Sequence, residues 1–441
     1  MKTARRTRNI AKMPQRIAIE DESHSARIRN RTRKMRNDCV GSIQFLRMRN
    51  SPRPPDLSPN SWLTLKRIWK SICSHVDESF TFQPLNQTQY MNEIKASNMY
   101  SSIPAEIREA FEKIRHAGVH LKINLPGNRK ANIYMVEDAM HKTSRREFAN
   151  YLRFVVAWLR FASSIASPHC ATELRAYLLL SDAKKFVPDI HLVPVDVVHA
   201  NTAFTTSCSS QNTIFLFRRE EWFKVFMHET FHCMGLDFSS EGAETDGSND
   251  RMRSLFKALD PTTDVRLYET FCEMWAELTN LMFCLFTTRE GKCTSFSEKR
   301  FKKALVREQF FSIYQSNKLL RRAGFKYSEL FATPSHKPKY RENTQAFSYY
   351  VIKSILMWNV DDFIQWCEKC NNGNTVPIQF PSNQVSNYCD LVERLSKSDT
   401  YKAIAKSHNA PAHSGEAGCN RTIANTLRMT AIELAFFRTQ N

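Results

Sequence analysis

The five residues His228-Glu229-Thr230-Phe231-His232 constrain this chain more than any other part of its sequence. Two histidines four positions apart lie on one face of a helix, so their ring nitrogens can reach one metal ion at about 2.0–2.1 Å. The stretch 220–234 has the helical spacing of large apolar side chains, and Gly235 then provides a helix stop. The β-prone run Thr213–Phe217 comes just before it. The sequence therefore predicts a strand that leads directly into a metal-binding helix.

Glu229 supplies the acid–base chemistry that such a site needs. It lies one position along the helix from His228, beside the coordination position that the two histidines leave open. Its carboxylate can take a proton from a water held there and later pass it to a leaving amine. The same pattern also arises by chance on surface helices, but the preceding strand and the absence of proline from the helix favour the metal site.

A catalytic zinc site needs a third protein ligand, and one further segment offers three carboxylates. Glu269, Glu273 and Glu277 recur every four residues and therefore stack along one face of a helix, among large apolar side chains. Three adjacent carboxylates repel one another unless a cation faces them, which favours a ligand over a solvated acidic face. A histidine or aspartate three residues after Gly235 would be the other known pattern, but that position is Phe238. We expect Asp237 to support a ligand histidine instead.

The sequence Glu273-Met-Trp-Ala-Glu277 resembles the glutamate helix of several gluzincin families, zinc peptidases that include the lethal-factor-type toxins. In those families the first glutamate binds zinc, and the acid four residues later supports the site. The resemblance implies one Zn²⁺ per chain, with Glu273 as the third ligand and Glu277 behind it. The spacing from His232 to Glu273 is long for the compact thermolysin-like families, so Glu269 is kept as an alternative ligand.

A wider stretch, about residues 175–285, resembles HExxH proteins encoded by large DNA viruses. The likeness lies in Asn201-Thr-Ala-Phe-Thr205, in the stretch Phe217–His228 and in Tyr268-Glu-Thr-Phe-Cys-Glu273. It implies a viral protein, located in the host cytoplasm or in the virion.

Two further features bear on catalysis. Tyr268 lies on the same helix as the glutamates and is a candidate donor to the oxyanion that develops during hydrolysis. The strand Thr213–Phe217 is expected at a sheet edge, where an extended substrate can pair with it. We therefore predict a gluzincin-like zinc metallopeptidase that hydrolyses protein or peptide substrates, with Glu229 as general base. The alternative in another class is a zincin scaffold, such as a structural virion protein, that keeps the metal without turnover.

The positive charge is concentrated at the N-terminus. Residues 1–60 contain 15 Lys and Arg against 5 Asp and Glu, so they carry +10 of the net +19. Their polar, proline-containing composition predicts disorder. Such an arm is typical of segments that bind nucleic acid or another acidic partner, which gives a second alternative function.

Cysteine usage and hydropathy bear on the compartment. The 12 cysteines are scattered without a compact disulfide framework, and the N-terminus lacks the apolar stretch of a secretory signal. No run approaches the roughly 18 apolar residues of a membrane span. We therefore expect a soluble intracellular protein with reduced thiols. Cys367-Glu-Lys-Cys370 alone is too little to predict a second zinc site.

The predicted fold class is α+β and mainly α, since glycine is scarce (11) and phenylalanine abundant (30). We divide the chain into a disordered basic arm (1–60), a mixed helical region packed on the core (61–170), a zincin-like core (171–295) and a helical extension (296–441). The core should contain a small sheet with an edge strand, the helix with the two histidines and a second helix with the glutamates.

Local patterns place the other elements. Apolar periodicity predicts helices at Trp62–Val76, Ala105–Ala117, Arg145–Ala166 and Leu267–Thr287, and further ones near 301–322, 343–368, 383–397 and 420–438. Alternation predicts a hairpin of Val119–Leu125 and Ala131–Val136 around Pro126-Gly127-Asn128, and a buried strand at Arg175–Leu180. The polar, acidic stretch Ser239–Asp250 is expected to be a surface loop.

Overall fold

The computed structural model describes residues 52–76, 79–188, 193–288, 290–371, 376–407 and 423–434. The predicted basic arm lies outside the described residues up to position 51. Helix α1 (Pro59–Cys73) begins within the last two residues assigned to that arm. Its start is fixed locally, because the Ser58 side chain accepts a hydrogen bond from the Ser61 amide and Pro59 needs no amide partner in the first turn.

Helices dominate the described chain, and they surround one mixed sheet, as the mainly α, α+β prediction requires. The elements after α1 are β1 (Phe82–Pro84), α2 (Gln87–Ala96), α3 (Ala105–Glu112), β2 (His116–Leu125), β3 (Arg129–Asp138), α4 (Arg145–Ile165), β4 (Glu173–Leu180), α5 (Val197–Ala200), β5 (Ala203–Thr205), β6 (Gln211–Leu216), α6 (Trp222–Cys233), α7 (Gly242–Leu255), α8 (Leu267–Phe286), α9 (Glu298–Arg322), α10 (Lys353–Trp358), α11 (Val360–Cys370), α12 (Val385–Ser396) and α13 (Asp399–Ser407). A π-helical segment, Phe347–Ile352, runs directly into α10.

The sheet has the strand order β1-β2-β3-β4-β6-β5. Strands β3, β4 and β6 are parallel, whereas the β1–β2, β2–β3 and β5–β6 pairs are antiparallel. The predicted hairpin is confirmed: Leu125 pairs with Arg129, and Gly127 and Asn128 have φ values of 71° and 57°. A turn in this left-handed region favours glycine and asparagine, which is the signal that located it.

The expected edge strand is wrong in one respect. Thr213–Phe217 falls largely within β6, which pairs with β4 on one side and with β5 on the other. The edge beside helix α6 is therefore β5, antiparallel to β6, with Ala203 opposite Leu216 and Thr205 opposite Ile214. Sequence could not separate the two, because β5 has three residues and too little alternation to read as a strand.

Helices cover both faces of the sheet. The long helix α4 is buried along most of its length and contacts α6, where the Trp158 indole donates to the Thr230 hydroxyl at 2.5 Å. On the opposite face α2 and α3 cover a row of stacked rings, with Tyr134 and Tyr177 at 5.1 Å and Tyr177 and Phe215 at 4.7 Å. The main core is continuous and takes side chains from Leu57 to Leu434, so it crosses the predicted boundaries at 170 and 295.

Two local predictions are wrong. Ser239–Asp250 is not a loop, because most of it belongs to helix α7, which buries the small polar side chains of Thr245, Ser248 and Asn249. The side-chain oxygen Oδ1 of Asn249 accepts a hydrogen bond from the Val265 amide, so a buried polar contact joins this helix to the segment that follows it. In the predicted helix 420–438, only residues 423–425 are helical and residues 426–434 form no helix or strand, while 420–422 and 435–438 lie outside the described residues.

Four cysteines are paired, contrary to the expectation of reduced thiols. Cys73 is disulfide-bonded to Cys293, and Cys170 to Cys208. Sequence could not reveal these pairs, because their members are 220 and 38 residues apart and join different elements. Among the described residues, no helix is both long and apolar enough to cross a membrane.

Candidate metal centre

Three side chains from α6 and α8 converge on one point between the two helices. The Nε2 atoms of His228 and His232 are 3.1 Å apart. Oε2 of Glu269 lies 3.0 Å from the first and 3.3 Å from the second. All three residues are buried, and they form one of the groups in the described chain whose ligand atoms are close enough to share an ion.

The size of this triangle suits a zinc ion. A tetrahedral zinc with bonds of about 2.0–2.1 Å places neighbouring ligand atoms about 3.3 Å apart. The three separations of 3.0, 3.1 and 3.3 Å are close to that value. Two imidazoles and one carboxylate also form the donor set of catalytic zinc sites that keep a fourth position open. The residues present therefore fit the metal that the sequence predicted.

Glu273, which the resemblance implied as the third ligand, does not share this point. Its Oε2 lies 3.2 Å from Nδ1 of His228, on the side of the ring away from His232. One turn of α8 separates it from Glu269, and that turn changes which edge of the imidazole it meets. Glu269, the alternative ligand that the sequence offered, is the carboxylate that faces both Nε2 atoms.

Asp237 contacts the second histidine. Its Oδ2 contacts Nδ1 of His232, and the Cys272 thiol donates to the same oxygen at 3.2 Å. The other oxygen, Oδ1, accepts from the Ser239 hydroxyl at 2.8 Å. Each histidine thus has a carboxylate behind its Nδ1, an arrangement that directs Nε2 toward the shared point and makes it a better donor.

The three glutamates of α8 each face a different cationic group. Glu269 faces the two imidazoles, Glu273 pairs with Lys224 at 2.5 Å, and Glu277 pairs with Lys353. The prediction that a cation relieves the carboxylate repulsion therefore holds for two turns through lysines of the chain itself. Glu277 lies one turn beyond the residues that touch the histidines, and it contacts Lys353 instead.

The two lysines that pair with these glutamates were not predicted from the sequence. Lys224 precedes His228 by four residues on the same face of α6, so helical spacing alone would have placed it beside the metal ligands. Lys353 comes from α10, and nothing in its local sequence indicates a partner 76 positions away in Glu277. Both lysines are 1% exposed.

Burial and the neighbouring charges shift the pKa values of the site residues in opposite directions. Burial alone would lower the pKa of His228, but Glu269 and Glu273 raise it to about 9. Burial raises the pKa of Glu229, against the lowering effect of the two histidines. A carboxylate with a raised pKa is suited to accept and return a proton near neutral pH. The pKa of Glu269 is lowered despite its burial, because both imidazoles face it.

A small cavity opens beside Glu229. It is lined by Lys224, His228, Glu229, Glu273, Tyr349 and Met429, and by residues 200–203 at the start of β5. The volume open to the centre of a water-sized sphere is about 20 Å³, which is room for one water. Glu229, the candidate general base, therefore borders a space for a single water, next to the edge strand.

Two tyrosines flank the histidines, and only one lines this cavity. Tyr268, the predicted donor, has its ring 5.6 Å from that of His232, and its hydroxyl accepts from Arg266 at 3.2 Å. Tyr349 has its ring 6.0 Å from that of His228 and lines the cavity beside Glu229. Tyr349 belongs to the π-helical segment, a rare conformation that is frequent at functional sites, and no sequence signal points to it.

Comparison with known proteins adds no family to this description. No protein family matches the chain, and no curated protein or solved structure is significantly similar to it.

Proposed function

We propose that this protein is a zinc-dependent peptidase. The observation that carries the proposal is the triangle of two imidazole nitrogens and one carboxylate oxygen, with a second carboxylate behind each histidine. When bound there, zinc would polarise a carbonyl group and lower the pKa of a water molecule. His228, His232 and Glu269 would hold the ion, and Glu273 and Asp237 would orient the two imidazoles.

Glu229 is assigned the proton transfers. Its carboxylate lines the cavity next to His228, and its raised pKa allows it to take a proton from the attacking water. The same oxygen then delivers the proton to the nitrogen of the leaving amine. Replacing Glu229 by glutamine keeps the size of the side chain but removes the base.

Tyr349 is the better-placed candidate to stabilise the developing oxyanion. It lines the cavity with Glu229, whereas Tyr268 does not. A hydroxyl donor aimed at the developing charge is one of the larger contributions to acyl-transfer catalysis. Tyr268 remains the alternative, since its ring lies against His232.

The edge strand gives a reason to prefer peptides over other acyl substrates. Strand β5 pairs with β6 on one side, and Ala203 at its beginning also lines the cavity. An extended peptide that added to the other side of β5 would run past Glu229. Its main-chain groups would then be recognised without a sequence requirement.

Metal content and turnover test the proposal together. We expect purified protein to bind one zinc per chain, and His232→Ala and Glu269→Ala to lose it, while Glu273→Gln keeps it with reduced affinity. Glu229→Gln should retain zinc but lose the cleavage of quenched fluorescent peptides. Retention of zinc in Glu269→Ala together with loss in Glu273→Gln would return the third ligand to Glu273.

A metal-binding scaffold without turnover is the second candidate, and one observation favours it. His228, Glu229, His232 and Glu269 are only 5–9% exposed, so a peptide cannot reach them in the conformation described. A scaffold predicts that Glu229→Gln changes nothing measurable. The nucleic-acid alternative predicts a salt-dependent affinity that is lost on deletion of residues 1–60, with zinc content intact.

A further inference from the structure

The cavity beside Glu229 has room for one water only, so a substrate would have to displace a segment that lines it. The most direct neighbour is the strap, which we define as residues 423–434. Met429 of the strap lines the cavity together with His228 and Glu229, and its sulfur lies 3.6 Å from Nζ of Lys224. Met429 is 6% exposed, so its side chain fills space next to the candidate base.

The strap is held the way a binding groove holds an extended peptide, mostly through its main chain. The amides of Met429 and Thr430 donate to Oε1 of Glu221 at 2.8 and 2.5 Å. The amides of Ala431 and Ile432 donate to Glu308 at 2.8 and 2.7 Å. These contacts recognise the backbone and do not depend on the side chains of the strap.

Lysine side chains donate hydrogen bonds to three carbonyl groups of the same segment. Nζ of Lys353 donates to the Met429 carbonyl at 2.9 Å, and Nζ of Lys318 donates to those of Ile423 and Thr426 at 2.6 and 2.5 Å. One antiparallel bridge, between Phe186 and Thr426, is the only sheet-like pairing of the strap among the described residues. The residues around the strap therefore present both donors and acceptors to its main chain.

We propose that the strap is an internal ligand of the substrate groove, and that Met429 fills a pocket for a linear apolar side chain beside Glu229. This inference rests on the proposed peptidase function and names the substrate class of its site: an extended peptide with a methionine-sized apolar residue near the bond to be cleaved. The strap must leave this position, or be shortened at Met429, before such a peptide can enter.

Truncating Met429 tests the inference against a matched core truncation. Met429→Ala opens the pocket, whereas Met252→Ala removes the same atoms from α7, where Met252 is buried away from the cavity. In zinc-loaded protein we expect dipicolinate to remove the metal about tenfold faster from Met429→Ala than from wild type. Met252→Ala should release it at the wild-type rate. Equal rates in all three proteins overturn the inference.

A second readout does not depend on zinc. In metal-free protein, acylation of His228 and His232 by diethyl pyrocarbonate, followed by mass spectrometry, reports access to the imidazoles. We expect faster acylation in Met429→Ala only. If wild type binds no zinc but this acceleration is found, the groove assignment stands and the peptidase proposal fails. If zinc binds and neither rate changes, the peptidase proposal stands and Met429 does not close the site.

Discussion

Two successive turns of helix α8 carry the same kind of buried ion pair, yet only one of them borders the metal centre. Glu273 pairs with Lys224 and also lies 3.2 Å from His228. Glu277 pairs with Lys353, whose other contacts are the Ser312 hydroxyl and the Met429 carbonyl. Both pairs are buried to a similar extent, so burial does not distinguish them; the contact of Glu273 with His228 does.

The comparison also separates two reasons for burying a charge. A buried pair usually contributes little net stability relative to apolar residues, while removal of one partner is costly because the other charge is left alone. The Glu277 pair is adjacent to the strap and fastens it through Lys353. Glu273 instead lies against one imidazole of the candidate metal centre, whose orientation it would fix. The predictions below test whether this division is real.

Removal of one lysine at a time should give the largest effects. We expect Lys224→Met and Lys353→Met each to lower the free energy of unfolding by about 3–5 kcal/mol, because each leaves a buried glutamate without its cation. Only Lys224→Met should also weaken zinc binding, by about 10–100-fold. Urea unfolding of metal-free protein and competition with a chromophoric chelator measure the two quantities. An equal loss of zinc affinity in both variants would show that the two ion pairs affect the candidate metal centre equally.

Removal of both charges of a pair should recover part of that stability. In Lys224→Met/Glu273→Gln and Lys353→Met/Glu277→Gln we expect about 1–3 kcal/mol to return relative to the single lysine variants, since no unpaired charge remains. Zinc affinity should stay below that of wild type in the first double variant, because an amide is a weaker acceptor for His228 than a carboxylate. Full recovery of zinc affinity there would mean that Glu273 does not orient the ring.

The sequence predicted the ligand-bearing helices well because their signals are local. The four-residue spacings of the two histidines and of the three glutamates place each set on one face of a helix, and helices α6 and α8 are found where expected. The role of Asp237 also followed from short-range spacing, since only five residues separate it from His232. Contacts between residues within about two helical turns of one another could therefore be predicted from the sequence.

What sequence could not supply depends on how distant segments meet. Which of Glu269 and Glu273 faces both Nε2 atoms depends on the rotation of α8 against α6, which neither helix specifies alone. Tyr349 and Met429 reach the cavity from segments more than 100 residues beyond His228. Their own neighbourhoods read as apolar helix, so no periodicity could separate them from ordinary core residues.

A smaller effect on zinc binding is expected from Asp237, the carboxylate that contacts Nδ1 of His232. Asp237→Asn should weaken zinc binding about tenfold, because the amide no longer fixes the ring through a charge-assisted contact. Cys272→Ser is the control, since a hydroxyl can still donate to Asp237. Chelator competition should place the control near wild type. If Asp237→Asn binds zinc as tightly as wild type, carboxylate support of the histidines is not needed.

The smallest expected effect is in the pH dependence of stability, where the two α8 pairs should have opposite signs. Burial would raise the pKa of Glu273, but Lys224 and His228 lower it below its usual range. Burial raises the pKa of Glu277 well above its usual range, and Lys353 offsets this only in part. The nearby carboxylates of Glu308 and Glu273 raise the pKa of Glu277 further.

Opposite shifts have opposite consequences for folding. A lowered pKa means that Glu273 contributes stability above about pH 4.5, and that this contribution is lost as the pH falls toward the folded-state value. A raised pKa means that the contribution of Glu277 is complete below about pH 4.5 and is lost as the pH rises through its folded-state value. In metal-free protein, Glu273→Gln should therefore flatten the stability curve below about pH 4.5, and Glu277→Gln should flatten it above about pH 4.5. Flattening on the same side in both variants would show that the two pairs are electrostatically equivalent, and that only contact with His228 distinguishes them.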